Sequence, residues 1–372
     1  MDRATIGVYE AEGAHYAERR GVQRPERAEA FALALRSGGR RLDLGAGPGH
    51  YLPLLGRPAV AVDAAHAMAR AAADAAPDVA AVRADLVRLP FDRHAFAGIW
   101  ASKAHQHLPS TELPMALGDA HRVLEVGGRL ELTLFAAPTG TATIEEVTDA
   151  ASGDDLPGRF FTWWDPGHLR AVVEAAGFGI DDLHVTEPSA DGHARIELVA
   201  TALRALPDHV GARMRLLCCG LNPSLHAADA GVGYVTGNNR FWPALEAAGL
   251  LTGPQRDNRR LLWHDHIGMT DLVKRATARA DELTRDEYRV GVDRLAALCA
   301  WLRPAAVAVN GLAGWRAAVD RKAAIGWQPE PLGDAPVYVF PSTSGLNARV
   351  PLAELVEHLR AAADGPDHGA RA

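Results

Sequence analysis

The sequence has 372 residues, of which 48% are hydrophobic and 23% are charged. At about 150 residues per domain, this length predicts two domains that each bury a core. The three cysteines, two of them adjacent at Cys218 and Cys219, are too few for a disulfide framework or a four-ligand zinc site. Every apolar stretch is interrupted before the roughly 18 residues of a membrane span, and no signal-peptide core is present. Composition therefore predicts a soluble, cytoplasmic protein.

The charge is divided unevenly along the chain. The net charge is −7, from 39 basic and 46 acidic residues, but residues 206–372 hold 19 of the basic and 18 of the acidic ones. The first 205 residues therefore carry the negative charge. Only the second half can approach a polyanion such as nucleic acid without a strong opposing field.

The first half alternates short apolar runs with longer Ala-, Leu- and Arg-rich stretches, a pattern typical of α/β units with parallel strands. A helix is predicted at residues 166–176. Turn residues at 187–192 predict that the last two strands form an antiparallel hairpin. The predicted strands are residues 41–44, 59–62, 79–82, 96–101, 129–135, 180–184 and 196–202.

The second half repeats this alternation and predicts a second α/β domain. Because Leu206-Pro207-Asp208 interrupts the preceding run, the boundary is expected within residues 204–211, which gives domains at 1–205 and 206–363. Residues 364–372 are interpreted as a disordered tail. The predicted strands are residues 214–219, 305–309 and 337–340, and the predicted helices are residues 241–248, 285–301, 312–319 and 351–363.

A glycine-rich turn follows the first predicted strand, in Asp43-Leu44-Gly45-Ala46-Gly47-Pro48-Gly49. Without Cβ atoms, these glycines allow a ligand to lie against main-chain amides at a helix N-terminus. A dinucleotide fingerprint requires a glycine where His50 stands, so the spacing disfavours NAD. Asp63 ends the second strand and Asp85 follows the third, where carboxylates can accept from a ribose and an adenine amino group. Each acid alone is also typical of a solvated turn.

Together with Ala84-Asp85-Leu86 and Arg122-Val123-Leu124-Glu125-Val126-Gly127-Gly128, this loop resembles class I S-adenosylmethionine-dependent methyltransferases over residues 1 to about 203. The resemblance implies a Rossmann-like, three-layer α/β/α domain whose seven-stranded sheet ends with an antiparallel strand. It also implies S-adenosylmethionine as cofactor, with Asp63 on the ribose and Asp85 and Leu86 on the adenine. The residues implied to hold the methionine end are Asp43, Gly45, Ala46, Gly47 and Gly49.

The sequence does not identify the methyl acceptor. Methyl transfer from a sulfonium is an in-line displacement that needs positioning and sometimes a base. His105 and His107, after the fourth strand, are candidates for that base, with a structural contact as the alternative for each. Trp163 and Trp164 either wall an acceptor pocket or pack in the core. The chain has no Asn-Pro-Pro-Tyr-type motif, which disfavours methylation of DNA.

A second polar set begins where the strand at residues 214–219 ends, at Gly220-Leu221-Asn222-Pro223-Ser224. The Asn222 amide can orient a water but cannot take its proton as a strong base, so a reaction there needs a good leaving group. Hydrolysis of a nucleoside N-glycosidic bond fits, because that bond can break ahead of attack through an oxocarbenium-like state. The alternative role of Asn222 is a strand-end turn.

Further segments follow in order: Gly231-Val232-Gly233-Tyr234, Asn238-Asn239-Arg240-Phe241-Trp242 and Gly268-Met269-Thr270-Asp271-Leu272-Val273. The loop from Pro341 to Arg349 then follows a strand and precedes a helix. Its hydroxyl and backbone groups suit phosphate contacts, and Leu346 suits the position that a flipped base leaves vacant.

These segments resemble the mismatch-specific uracil-DNA and thymine-DNA glycosylases of the uracil-DNA glycosylase superfamily, over residues 213–363. The resemblance implies a smaller parallel-sheet domain, mismatched double-stranded DNA as partner and no metal. Asn222 would position the hydrolytic water, and Tyr234 would stack on the flipped base. Ser224 and Ser342 depart from the family pattern, which leaves the preference among uracil, thymine and ethenocytosine open. The implied base pocket is Gly220, Leu221, Pro223 and Asn239, and the implied wedge and phosphate contacts are Ser342, Ser344, Gly345, Leu346 and Arg349.

We therefore interpret the chain as a methyltransferase fused to a DNA-repair glycosylase. One alternative is a small-molecule or nucleoside tailoring methyltransferase whose glycosylase-fold domain acts on a free nucleoside or only binds. Another is a non-catalytic reader of damaged DNA. A basic ring around Leu346 would favour duplex DNA, and an acidic rim would favour a small substrate.

Overall fold

The computed structural model describes residues 2–138, 144–148, 156–189, 192–253, 256–347 and 349–366. The chain divides into two units, Met1–Leu203 and Arg204–Ala372. Asp364, the first residue of the predicted tail, still belongs to the last helix, whereas residues 367–372 lie outside the described residues. Within the described ranges, no helix combines the length and the apolar character that a bilayer crossing requires.

The described part of the first unit contains one nine-stranded sheet. All seven predicted strands are present, and two strands that the sequence patterns did not indicate are added to them. The strands are β1 (Arg41–Leu44), β2 (Ala59–Asp63), β3 (Ala80–Arg83), β4 (Phe96–Ser102), β5 (Leu124–Ala136), β6 (Glu145–Thr148), β7 (Phe160–Trp164), β8 (Phe178–Val185) and β9 (Arg195–Ala202).

The predicted strands follow the order β3-β2-β1-β4-β5, all parallel, and then β9 and β8, both antiparallel to their neighbours. The terminal hairpin is therefore confirmed, although residues 190 and 191 of its turn lie outside the described residues. The added strand β7 pairs in parallel with the end of β5, at Phe135 and Ala136, and β6 pairs antiparallel with β7.

The complete burial of β1 and the near-complete burial of β4 are typical of a parallel sheet that is covered on both faces. The Asp165 carboxylate accepts from the His168 amide and so caps a helix that begins with Pro166. The helices are α1 (Arg3–Arg19), α2 (Pro25–Ala34), α3 (His66–Ala75), α4 (Leu113–Val123) and α5 (Pro166–Ala175).

The described residues of the second unit form a five-stranded sheet with the strand order β11-β10-β12-β14-β13. The first four strands are parallel and the two-residue β13 is antiparallel to β14. The three predicted strands are present, and most of the motif from Gly268 to Val273 lies in a further strand, Ile267–Asp271. The strands are β10 (Leu216–Gly220), β11 (Ile267–Asp271), β12 (Val307–Asn310), β13 (Gly326–Trp327) and β14 (Val337–Phe340).

The core on one face of this sheet is aromatic and aliphatic, with Phe241, Trp242 and Leu245 packed together with Leu355 and Leu359. The parallel strands bring their carboxyl ends to one edge, so the loops after β10, β11, β12 and β14 meet there. The helices are α6 (Leu225–Ala230), α7 (Phe241–Ala247), α8 (Asn258–Asp265), α9 (Arg285–Leu302), α10 (Leu312–Ala318) and α11 (Leu352–Asp364).

Candidate functional sites

The glycine loop of the first unit has the backbone that the sequence predicts. Gly45, Gly47 and Gly49 have φ angles of 76°, 54° and 83°, values that L side chains rarely adopt. A Cβ atom on Gly45 would overlap the Cβ atom of Ala104, which follows β4. The loop therefore needs glycine both for its turn and for its close approach to the neighbouring strand end.

Two carboxylates lie at this loop, Asp63 half-buried and Asp43 buried. Asp63 accepts from the Gly47 amide through Oδ2 and from the Ala65 amide through Oδ1, both over 2.9 Å. Burial raises the pKa of Asp63 to about 6. Asp43 is 2% exposed, and among the described residues its Oδ2 atom has no hydrogen-bond partner. Burial, with Asp63 nearby, raises the pKa of Asp43 to about 8.

The remaining predicted cofactor residues lie at the same sheet edge. Asp85 follows β3, is half-buried, and accepts from the Val87 amide over 3.2 Å. Leu86 and Ala46 are buried. Asp85 thus has the local turn role that the sequence left open, and its position next to β2 also suits the implied adenine contact.

Helix α1, which the sequence patterns did not indicate, adds to this site. Glu10 accepts from the His66 and Ala67 amides, over 2.7 and 2.9 Å, and so caps the N-terminus of α3. A Cβ atom on Gly47 would lie 3.9 Å from the Tyr16 ring. The helix therefore covers the glycine loop.

The two candidate methyl-transfer histidines have different surroundings. His107 Nδ1 donates to the Phe160 carbonyl oxygen over 2.7 Å, and Nε2 lies 3.0 Å from the Tyr9 hydroxyl. Arg159 also donates to that hydroxyl, over 2.9 Å. His107 therefore has a structural role. His105 is fully buried, neither ring nitrogen has a hydrogen-bond partner among the described residues, and burial lowers its pKa to about 4.

The two tryptophans lie in β7. Trp164 is 1% exposed, which fits core packing. The Trp163 ring lies against the Phe135 and His193 rings, with centroids 6.2 and 5.0 Å away. Of the two tryptophans, only Trp163 is therefore still predicted to line a pocket for the methyl acceptor.

The second unit has a cavity of about 480 Å³ at the carboxyl edge of its sheet. It brings together residues from segments far apart in the sequence. Of the predicted site residues, the lining contains Leu221, Asn222, Pro223, Tyr234, Asn239, Ser342, Ser344 and Leu346.

Asn222 is fixed by its amide nitrogen. The two hydrogens of Nδ2 are shared among three acceptors: Thr277 Oγ1 at 2.7 Å, the Arg275 carbonyl oxygen at 3.0 Å and the Pro223 carbonyl oxygen at 3.2 Å. The nitrogen is thereby committed to protein acceptors, which leaves Oδ1 to accept from a ligand or a water. Ser224, two residues after Asn222, caps α6 by accepting from the Ala227 amide over 3.1 Å.

Tyr234 lies in the cavity wall with an unusual backbone. Its φ angle is 54°, and its ring stacks on Phe241 with centroids 4.0 Å apart and 26° between planes. Its hydroxyl is buried, and the Asn310 side chain interacts with it. A Cβ atom on Gly220 would lie 2.9 Å from this hydroxyl oxygen, so the glycine makes room for the phenol.

The loop before α7 supports the wedge loop. Asn239 Oδ1 accepts from the Phe241 amide over 3.0 Å. Arg240 donates to the carbonyl oxygens of Asn347, over 2.8 Å, and Val350. A Cβ atom on Gly345 would overlap the Asn238 side chain. These contacts hold the two loops together.

Leu346 is 96% exposed, although it is an aliphatic side chain on a short helical turn, Gly345–Asn347. Serine hydroxyls shape this turn, since Ser344 Oγ accepts from the Leu346 amide and Ser342 Oγ from the Ser344 amide, both over 3.3 Å. Arg349 is also exposed. A single exposed aliphatic side chain is ordinary on a protein surface, so Leu346 is distinguished by its place on the cavity lining.

The sequence patterns missed several lining residues because no local signal marks them. Asp271 and Arg279 are the charged residues on the lining, and Asn310 and Thr277 add polar groups. Asp271 was visible only as part of a motif. In the described part of the chain, no cluster of three or more metal-ligating side chains occurs.

Comparisons with known proteins divide the chain in the same way. Residues 42–128 match the family model of a methyltransferase domain, and residues 207–361 match that of the uracil DNA glycosylase superfamily.

Similar solved structures each cover about half of the chain. The cyclase SpnF is 20% identical, covering 50% of this chain and 84% of its own, with a TM-score of 0.40. A Methanosarcina mazei S-adenosylmethionine-dependent methyltransferase is 18% identical, and the match covers 50% of this chain and 99% of that one, with a TM-score of 0.42. Burkholderia thailandensis 1,6-didemethyltoxoflavin-N1-methyltransferase, solved with S-adenosylhomocysteine, is 20% identical, covering 54% and 87%, with a TM-score of 0.43. By the family matches, the chain carries a methyltransferase domain followed by a uracil DNA glycosylase superfamily domain.

Proposed function

We propose that the second unit hydrolyses the N-glycosidic bond of uracil in G-mismatched duplex DNA, after flipping the base into the cavity. The observation that carries this proposal is the meeting of Asn222, Tyr234 and Leu346 at one cavity, although they come from three separate segments. A cavity of about 480 Å³ is large enough for a nucleobase and its sugar.

Cleavage of the bond between uracil and the sugar does not require a strong acid or base. Uracil leaves as a resonance-stabilised anion, so the site has to exclude water, stack on the base and direct polar groups at it. Tyr234 and the strand-end amides suit those roles. Asn222, held through Nδ2, presents its carbonyl oxygen to the water that attacks the sugar.

The exposed leucine supports duplex DNA as the substrate. Flipping a base costs a few kcal/mol and is least costly at a mismatch. Leu346 projects from a loop whose serine hydroxyls and amides suit phosphate oxygens, and Arg349 adds a positive charge beside it. A side chain that fills the vacated stack needs the exposure that Leu346 has.

For the first unit, we propose methyl transfer from S-adenosylmethionine to an acceptor that is not yet identified. The residues present fit this cofactor: the backbone at Gly45, Gly47 and Gly49 allows close approach, and Asp43 keeps a buried carboxylate oxygen without a partner in the described residues. The cofactor supplies an electrophilic methyl group. Asp43 would face its ammonium group, Asp63 its ribose, and Asp85 with Leu86 its adenine.

The proposal is tested by incubating the full chain with a G:U duplex and, separately, with free deoxyuridine. Release of uracil from the duplex supports the repair function. Cleavage of the nucleoside with the duplex left intact would instead support the tailoring alternative.

A further inference from the structure

Asp271 is a buried carboxylate that opens onto the cavity of the second unit. It ends β11, is 8% exposed, and lines the cavity together with Asn222. Within the part of the chain that the structure describes, the side-chain hydrogen bonds to Asp271 reach its main-chain oxygen and not its carboxylate. The carboxylate opens onto the cavity, so water or a ligand there is the donor left to it.

The nearby cations are paired with another carboxylate. Lys274 Nζ donates to Asp208 Oδ1 over 2.6 Å, and Arg294 Nη1 donates to Asp208 Oδ2 over 2.7 Å. Arg294 contacts Asp271 through the main-chain carbonyl oxygen, over 2.5 Å. Among the described residues, the Asp271 carboxylate therefore has no ion pair and remains available as an acceptor.

The glycine opposite Asp271 fixes where this carboxylate lies. Gly220 and Asp271 are paired in the register of β10 and β11. A Cβ atom on Gly220 would overlap Asp271 Oδ1, so only glycine leaves room for the carboxylate at this place. The chain continues from Gly220 through Leu221 to Asn222, which puts the carboxylate beside the start of the Asn222 loop.

The same short segment holds both residues. Asp271 begins it, and the Arg275 carbonyl oxygen and the Thr277 hydroxyl accept from Asn222 Nδ2. Main-chain bonds from Leu272 to Gly220 and from Val273 to Leu221, both 2.9 Å, join the segment to the Asn222 loop. The position of Asp271 relative to Asn222 is therefore set by the backbone.

We propose that Asp271 is the general base that takes the proton from the water held by Asn222, an inference that rests on the glycosylase function proposed above. The bond between sugar C1′ and uracil N1 breaks, and its electron pair leaves with uracil. The water oxygen then bonds to C1′ while its proton moves to the Asp271 carboxylate. That proton passes on to the uracil anion or to solvent, which restores the carboxylate. Asn222 orients the water but cannot accept its proton.

Burial supports this role because it raises the pKa of Asp271 to about 6. The carboxylate is then ionised at neutral pH but more basic than an ordinary aspartate. Uracil release is expected to fall as the pH drops through 6, since the protonated acid cannot accept. The cations Lys274 and Arg294 lower the pKa of Asp271, and the Asp208 carboxylate raises it. Tyr234 and Cys219 also face Asp271, and their own pKa values are raised well above the usual range.

The test is single-turnover release of uracil from a G:U duplex by the full chain, between pH 5 and pH 8. Asp271→Asn keeps the size of the side chain and removes the base, so release should slow by about 100-fold or more and lose its acid limb. Its melting temperature and its binding to an abasic duplex should match those of the wild type. Asp265→Asn is the matched control, because Asp265 is equally buried and outside the cavity lining.

The outcomes separate the two proposals. If the wild type cleaves and folded Asp271→Asn cleaves as fast, Asp271 is not the base and the glycosylase function stands. If the wild type leaves the duplex intact, both proposals fail. Should Asp271→Asn not fold, the wild-type pH profile decides, because a profile without an acid limb near pH 6 overturns the assignment.

A double variant adds a second, independent readout. If Asn222 and Asp271 act on one water, Asn222→Ala combined with Asp271→Asn should be no more than a few-fold slower than the slower single variant. Losses that multiply would show that the two residues act separately and would overturn the proposal.

Discussion

The Asn222 amide nitrogen donates to the Thr277 hydroxyl over 2.7 Å, across 55 positions of sequence. The carbonyl oxygens of Arg275 and Pro223, which can only accept, set which end of the amide faces the cavity, and the Thr277 hydroxyl adds the shortest of the three contacts. Without the Thr277 hydroxyl, Nδ2 would keep only the two longer carbonyl contacts, so the amide that holds the hydrolytic water would be held less firmly. Thr277 is therefore a positioning residue for the proposed reaction.

Thr277→Val keeps the shape of the side chain and removes the acceptor. Loss of one neutral hydrogen bond of about 1–1.5 kcal/mol should slow single-turnover uracil release by roughly tenfold. Binding of an abasic duplex should be unchanged, and Thr277→Ser should restore the rate. Thr252→Val, on an exposed threonine, is the control. Equal rates for Thr277→Val and wild type would remove Thr277 from the account.

The raised pKa of Asp43 predicts that S-adenosylmethionine binding releases protons. With a pKa of about 8, Asp43 is mostly protonated at pH 7 in the free protein. The positive charges of the cofactor favour the ionised form, so binding should expel a proton and strengthen as the pH rises from 6 to 8. Calorimetry in two buffers with different ionisation enthalpies measures this release. Asp43→Asn should abolish it, and persistence of the full release in that variant would contradict the role of Asp43.

Leu346 is expected to affect uracil release most where the uracil has to be flipped out of a stable U:A pair. Leu346→Ala removes the side chain that replaces the base in the stack. Uracil release should therefore decrease more from a U:A pair than from a G:U mismatch, and least from a single strand. Val290→Ala truncates another exposed aliphatic side chain and should have no effect. An equal decrease on all three substrates would mean that Leu346 acts only in packing.

The sequence predicted the strands of both sheets well, because buried parallel strands are short apolar runs between turn residues. It missed β7, since the segment from Phe160 to Trp164 lacks alternation, and only Trp163 and Trp164 in it were interpreted, as a pocket wall or core. It also missed helix α1. The glycine loop and the acids after the strands were predictable because sheet topology brings strand ends together.

The partners of the site residues were not predictable in this way. Asn222 bonds to residues 53 and 55 positions later, and the Asp271 carboxylate lies over Gly220. Such contacts follow from the register of β10 and β11, which no local pattern specifies. Sequence reasoning therefore found Asn222 and Leu346 but not Thr277 or Asp271.

Asn222 is proposed to direct the release of uracil from mismatched DNA. The most direct test compares wild type, Asn222→Ala and Asn222→Asp in single-turnover release of uracil from a G:U duplex. Asn222→Ala should bind the duplex almost as well as wild type, because the wedge lies on another loop, yet release uracil about 10²–10⁴-fold more slowly. Asn222→Asp should remain active, since a carboxylate can also hold the water and stabilise the sugar cation. Release of uracil by Asn222→Ala at the wild-type rate would contradict the claim.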